Sequence, residues 1–219
     1  MRLRRRRAAA SIDARATFRD PAFECRLPGV KVQIDYDPAV WVRPPRVGVD
    51  RTEWASAYLE AFVSDLDLPA GDVRAENARR TLEILADQEF SHTVDLISLS
   101  VPPRETGIVA FLNVVDEELG LLEHGDPEVF LSFGDLGPGL GRPQRTTFPN
   151  KRDPRAWQTS VLQALNDALQ TTFHMRAYRR EEATEATPTA HLYATAFYGR
   201  PESVADVLHL LHAVLVVRP

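Results

Sequence analysis

The sequence predicts an α+β fold: a largely antiparallel sheet packed by amphipathic helices, a single domain over residues 21–219 behind a mobile, disordered basic arm at residues 1–20. Three observations predict it. Two apolar runs, Val94–Val101 and Ile108–Val115, are joined by a Pro-Pro-Arg-Glu-Thr-Gly link and read as neighbouring central strands. The second is apolar at nearly every position, as a strand covered on both faces requires, whereas a strand with one wet face alternates. Residues 30–36 do alternate, with Val30, Val32, Ile34 and Tyr36 on one side and Lys31, Gln33 and Asp35 on the other. Finally, the element order (strands, helical hairpin, strand pair, short strand, helix, strand pair, helix) lacks the regular alternation of a parallel sheet.

The elements follow in order. Ala22–Leu27 reads as a short strand ended by the turn pair Pro28-Gly29, and Ala39–Val42 extends the sheet with Trp41 inward. Asp50 and Glu53 have the spacing of a capping pair and open a helix on which Trp54, Tyr58 and Phe62 stack at i, i+4, i+8. Pro69-Ala70-Gly71 breaks that helix. Asp72 caps a second one, with Ala75, Ala78, Leu82 and Leu85 on one side. After the central strands, Asp116-Glu117-Glu118 is expected to solvate a sheet end, Leu119–Glu123 to form a helical turn and Val129–Phe133 a short strand.

Asp153-Pro154 then has the form of an N-cap with proline at the first helical position, and Trp157, Val161, Leu162, Leu165, Ala168 and Leu169 recur at helical period. A third long amphipathic helix is expected there. Phe173–Arg180 alternates as a strand, with His174, Arg176, Tyr178 and Arg180 on its polar face, and pairs with a last strand at His191–Tyr198. A closing helix carries Val204, Val207, Leu208 and Leu211, and the apolar end Val214–Val217 docks on the core or forms an edge.

Composition limits the function classes. With 219 residues and 44% hydrophobic content the chain has ample material for a core. Its single cysteine, Cys25, forms no internal disulfide and no thiolate zinc site. The arginine-rich start is not followed by an apolar run, so it does not read as a signal peptide, and no stretch is long enough to span a membrane. A soluble, reducing, cytoplasmic setting is expected. Only Lys31 and Lys151 among the 26 basic residues are lysine, a bias expected of a GC-rich bacterial genome.

Net charge is −5, but it is segmented. Residues 1–20 carry seven arginines against two aspartates; residues 50–128 carry eighteen acids against five arginines; residues 129–180 carry eight bases against three acids. Such segmentation suits ionic selection of a partner.

No catalytic constellation is found, and the chain is read as leaning away from enzymes: a nucleophile elbow, Walker sequence, kinase loop set and zinc-deaminase signature are all missing. The Gly134–Pro143 stretch lacks the Lys-Ser/Thr of a phosphate loop, and Pro138 and Pro143 interrupt any helix starting there. The acids at 116–118 lack calcium-loop spacing, and His209 and His212 lack a third ligand, so no metal and no cofactor is expected.

Three functions are weighed. The first is a non-catalytic cytoplasmic interaction protein, an adaptor, chaperone-like or regulatory partner, contacting a protein through Arg142, Arg145, Arg152, Arg155, Arg176, Tyr178 and Arg180. The second is nucleic-acid binding through the arm arginines Arg4, Arg5, Arg6 and Arg7 together with the basic segment 142–155. The third is a small-molecule binder or enzyme with a pocket between the 51–67 helix and the sheet.

Overall fold

The structure is a computed structural model of the whole chain. It describes residues 22–24, 27, 29–34, 41–42, 50–65, 67–73, 75–76, 78–79, 82, 93–98, 108–134, 142–150, 153–165 and 171–218. The arm with Arg4–Arg7, Cys25, Tyr36, most of the glycine-rich stretch and Arg152 lie outside the described residues, as do the side chains of Phe62 and Arg155.

The described residues gather into two compact units. The first holds residues 41–82 and 96–98. In it β3 (Trp41–Val42) pairs antiparallel with the end of β4 (Thr93–Ser98), Trp41 opposite Ser98 and Val42 opposite Ile97. Helix α1 (Arg51–Asp65) starts where the sequence places its cap: the Asp50 carboxylate accepts from Thr52 N at 2.9 Å and Glu53 N at 3.0 Å, satisfying two of the free amides of the first turn. Trp54 and Ala55 are buried, and Tyr58 tilts against Trp54 at 5.9 Å. Beyond α1, Gly71 takes φ +80°, a left-handed turn conformation that a side chain would strain. A second helical segment then buries Ala78 and Leu82, as its period requires.

The second unit holds residues 22–34, 93–95 and 108–218 and contains two antiparallel sheets with three helices. Its larger sheet runs β5 (Ile108–Val115), β9 (Ala190–Tyr198), β8 (Thr171–Glu181), β7 (Asp153–Leu165), β6 (Gln144–Asn150), with β4 next to β5 on the other side. β5 is therefore central, and Val114 and Val115, adjacent residues that point to opposite faces, are both completely buried. Burying each of these side chains contributes roughly 1.5–3 kcal/mol, so the twofold cover is a main source of the unit's stability.

The register sorts the side chains into two faces. Ile108, Tyr198, Phe173 and Gln163 lie in one cross-strand row, so that face also carries Leu112, Val114, Leu192, Ala196, Met175, Ala177, Arg179 and Trp157. Helix α4 (Val204–His212) and strand β10 (Val214–Val217) meet this face, where Trp157 Nε1 donates to the Leu211 carbonyl at 3.0 Å and Arg179 donates to the Val214 carbonyl at 3.1 Å. β10 also closes the small sheet, which runs β1 (Ala22–Glu24), β2 (Lys31–Ile34), β10. In β2 the alternation read from the sequence is realised: Val32 and Ile34 are buried while Lys31 and Gln33 are exposed. Arg218 ties the chain end to the β8–β9 connection by hydrogen bonds to Thr187 and to the Glu182 carbonyl.

Two expectations are corrected here. The third long helix, expected from Asp153-Pro154 onward, is instead the thirteen-residue strand β7. It pairs with β6 on one edge and β8 on the other, and Lys151-Arg152 links Asn150 to its partner Asp153. The apolar spacing at Trp157, Val161 and Leu162 satisfies a strand buried on both faces as well as a helix; Thr159 and Ser160, adjacent and both buried, show that both faces are covered. Pro149, which has no N–H for a ladder, sits where the β6–β7 register shifts. Of the three long helices expected from the sequence, the third is thereby replaced by a strand, and the cover described within this unit comes from three short helices and the small sheet.

The second correction is the strand expected at Val129–Phe133, which is helix α3 (Pro127–Ser132). Asp126 caps it, its carboxylate accepting from Glu128 N at 2.8 Å, with Pro127 at the first position and Phe133 closing it at φ 59°. Before it, the helical turn expected at Leu119–Glu123 is the full helix α2 (Glu117–His124), capped by Asp116, whose carboxylate accepts from Leu119 N at 2.8 Å. The acids at 116–118 therefore do more than solvate a sheet end: they occupy a helix N-terminus, where the aligned peptide dipoles favour negative charge.

Candidate protein-interaction surface

Helices α2 and α3 lie on the second face of the large sheet, the face carrying Asn113, Val115, Tyr193, His191, Arg176 and Tyr178. Their inner sides are seated by aromatic packing. Val115, Phe130, Leu131 and Tyr193 form a buried cluster; His124 stacks on Tyr193 at 4.4 Å, and Phe130 meets Tyr193 edge-on at 5.2 Å. Asn113 Nδ2 lies 3.0 Å from both Glu123 Oε2 and His124 Nε2, holding the last turn of α2. Arg176 donates to the Phe130 carbonyl at 2.9 Å and places its guanidinium 4.8 Å and 4.5 Å from the Phe130 and Phe133 ring centres.

Burial sets the protonation of the groups beneath the helices. Tyr193 is pushed up to about 12, chiefly by burial and then by its neighbour Tyr178. Tyr178 is likewise raised by burial, opposed by Arg180. Burial lowers His191 against the pull of Glu117, and its Nδ1 lies 2.9 Å from the Tyr178 hydroxyl. Tyr178, Tyr193 and His191 below α2 and α3 are thus neutral near pH 7; the charge in that layer is the Arg176 guanidinium, held against the Phe130 carbonyl.

That outer side is acidic and apolar together. From Asp116 to Gly134 the chain has six acids and no lysine or arginine. Asp116, Glu117, Glu118, Asp126 and Glu128 are exposed. Among them Leu121 is 49% exposed, Leu122 77% and Val129 49%. Among the described residues Arg145 of β6 reaches in, donating to Glu128 Oε2 at 2.5 Å and to the Glu128 carbonyl at 3.0 Å.

The residues expected to meet a partner are divided by the fold. Arg142 and Arg145 are exposed at the start of β6, and Arg180 is exposed at the end of β8 beside Glu182 at 3.7 Å. Arg176 and Tyr178 direct polar atoms to α3 and His191 within the molecule, so the polar face of β8 is largely roofed rather than open. His209 and His212 are exposed on α4. No group of three or more His, Cys, Asp or Glu among the described residues could hold a metal ion. No helix among the described residues is long and apolar enough to cross a membrane.

The exposed leucines are a feature that sequence reasoning passed over. The signal was present in Asp116 as a cap and in Leu121-Leu122, of which a helix opening at 117 cannot turn both into a sheet that already takes Gly120. No family model matches this chain, and no curated protein matches it.

Proposed function

We propose that the chain is a non-catalytic interaction protein of the bacterial cytoplasm, an adaptor, chaperone-like or regulatory partner, which selects a protein through separate acidic and basic surfaces. The observation that carries this reading is the exposed acidic side of α2 and α3, with Arg142, just before β6, and Arg180, at the end of β8, exposed in the same unit. Charges at the rim of an interface steer encounter and reject like-charged competitors, while affinity comes from buried apolar anchors. The lone cysteine supports the reducing compartment proposed, and the scarcity of lysine among the basic residues supports the bacterial origin.

The test is capture on immobilised full-length chain from a native lysate at low and high salt. A partner retained at low salt and released at high salt supports the reading. Recovery of no such partner rejects it.

A further inference from the structure

We infer that the outer face of α2 and α3 docks a basic amphipathic segment of a partner protein, an inference that rests on the interaction reading above and names its surface and its ligand chemistry. Leu121, Leu122 and Val129 are the apolar anchors. Single exposed apolar residues are ordinary, but three within nine residues, each more than two-fifths exposed and carried on two helices in contact with each other, concentrate apolar surface of the kind that marks contact sites.

Charge decides what covers it. Exposed Glu117 and Glu118 precede the two leucines, and exposed Asp126 and Glu128 precede Val129. An anionic lipid surface or a phosphate backbone meets like charge there, whereas a segment with leucine-like residues on one side and lysine or arginine beside them is complementary at both levels. Arg145 already provides one such contact from within the chain, pairing with Glu128 across from β6.

The platform is also prepared for docking. Gly120 lets α2 sit closely on Tyr193, and the His124 stack and the Asn113 contacts fix its last turn. A partner therefore meets a surface already ordered, which lowers the entropic cost of binding. The expected mode is an amphipathic helix laid along an apolar strip with its cations against the acidic rim.

The test uses full-length chain and a fluorescent leucine–lysine peptide of about 18 residues, five helical turns with leucine on one side. Two controls accompany it: the same composition scrambled to remove the apolar side, and the patterned peptide with glutamate for lysine. Binding of the patterned lysine peptide about tenfold or more tighter than the scrambled one, with no binding of the glutamate peptide, is expected. The double variant Leu121→Asn, Leu122→Asn should lose about tenfold, and Glu117→Gln with Glu118→Gln should weaken binding and flatten its salt dependence. Unchanged thermal unfolding of the leucine variant, and in the glutamine variant a loss no larger than the helix-dipole contribution of the two acids, about 1 kcal/mol or less each, shows that the surface, and not the fold, has been altered.

Equal binding of patterned and scrambled peptides, unchanged binding by the leucine variant, or no binding overturns the assignment. A lysate partner that the leucine variant retains overturns this surface while leaving the interaction reading intact. Loss of every salt-sensitive partner by the unaltered chain removes the interaction reading itself.

Discussion

Gly120 of α2 rests on the ring of Tyr193 in β9: a Cβ at that position would lie 3.0 Å from Cε2 and 3.1 Å from the hydroxyl oxygen. The contact fixes the height of the helix above the sheet. Tyr193 has little room to withdraw, being buried between His124 and Phe130. Gly120→Ala therefore overpacks the site at a cost of about 1–3 kcal/mol, offset by the roughly 1 kcal/mol that alanine gains over glycine inside a helix. A net loss of about 1 kcal/mol is expected in the unfolding free energy measured in urea, seen as a lowered midpoint, together with a changed His124 ring environment in NMR spectra.

Arg179 and Glu181 form an ion pair at 3.0 Å with side chains only 2% and 9% exposed, and the Arg179 guanidinium also lies 4.6 Å from the Trp157 ring centre. Removing one partner of a buried pair leaves the other charge uncompensated. Glu181→Gln should cost about 3 kcal/mol by chemical denaturation. The double variant Arg179→Met, Glu181→Leu should lose less than either single change, because no lone charge then remains; a double variant that loses the sum of the two would contradict the pairing.

Stability should fall on acidification through His191 and His174. Burial lowers both from the ordinary value of 6.5, with Arg176 adding to the effect at His174. Around His191, Glu117, Asp116 and Glu182 pull the other way and Arg180 assists, but burial is the largest influence. With the folded value depressed, the unfolded chain takes up protons first: the stability is whole above about pH 6.5 and declines below it until the folded histidines titrate. The NMR titration of His191 should have its midpoint below that of an unfolded-chain histidine, and His191→Gln should flatten the acid limb of the stability curve.

The two caps should be individually measurable. Asp116→Ala and Asp126→Ala each remove a carboxylate that accepts from a first-turn amide at 2.8 Å, and each should cost about 1 kcal/mol. Because α2 and α3 carry the exposed leucines and valine, hydrogen exchange in Glu117–His124 and Pro127–Ser132 should rise in the matching variant before global unfolding.

The amino-acid sequence by itself determined the α+β class, the twice-covered central strand, the alternation of β2, the antiparallel pairing of β8 with β9 and the cap at Asp50. In each, a local pattern has one economical solution. The charge segregation was legible too; the roof that places α3 over Arg176 and Tyr178 was not. The limit is clearest in Asp-Pro, at two of the four places where that dipeptide occurs. Asp126-Pro127 opens a helix, while Asp153-Pro154 begins a strand. Nothing local separates them: β7 is a strand because β6 and β8 satisfy its backbone groups on both edges and the layers above and below bury Trp157 and Leu162 on opposite faces. Only tertiary structure supplies those partners, and a ladder closed on both sides outweighs a helical start signal worth about 1 kcal/mol.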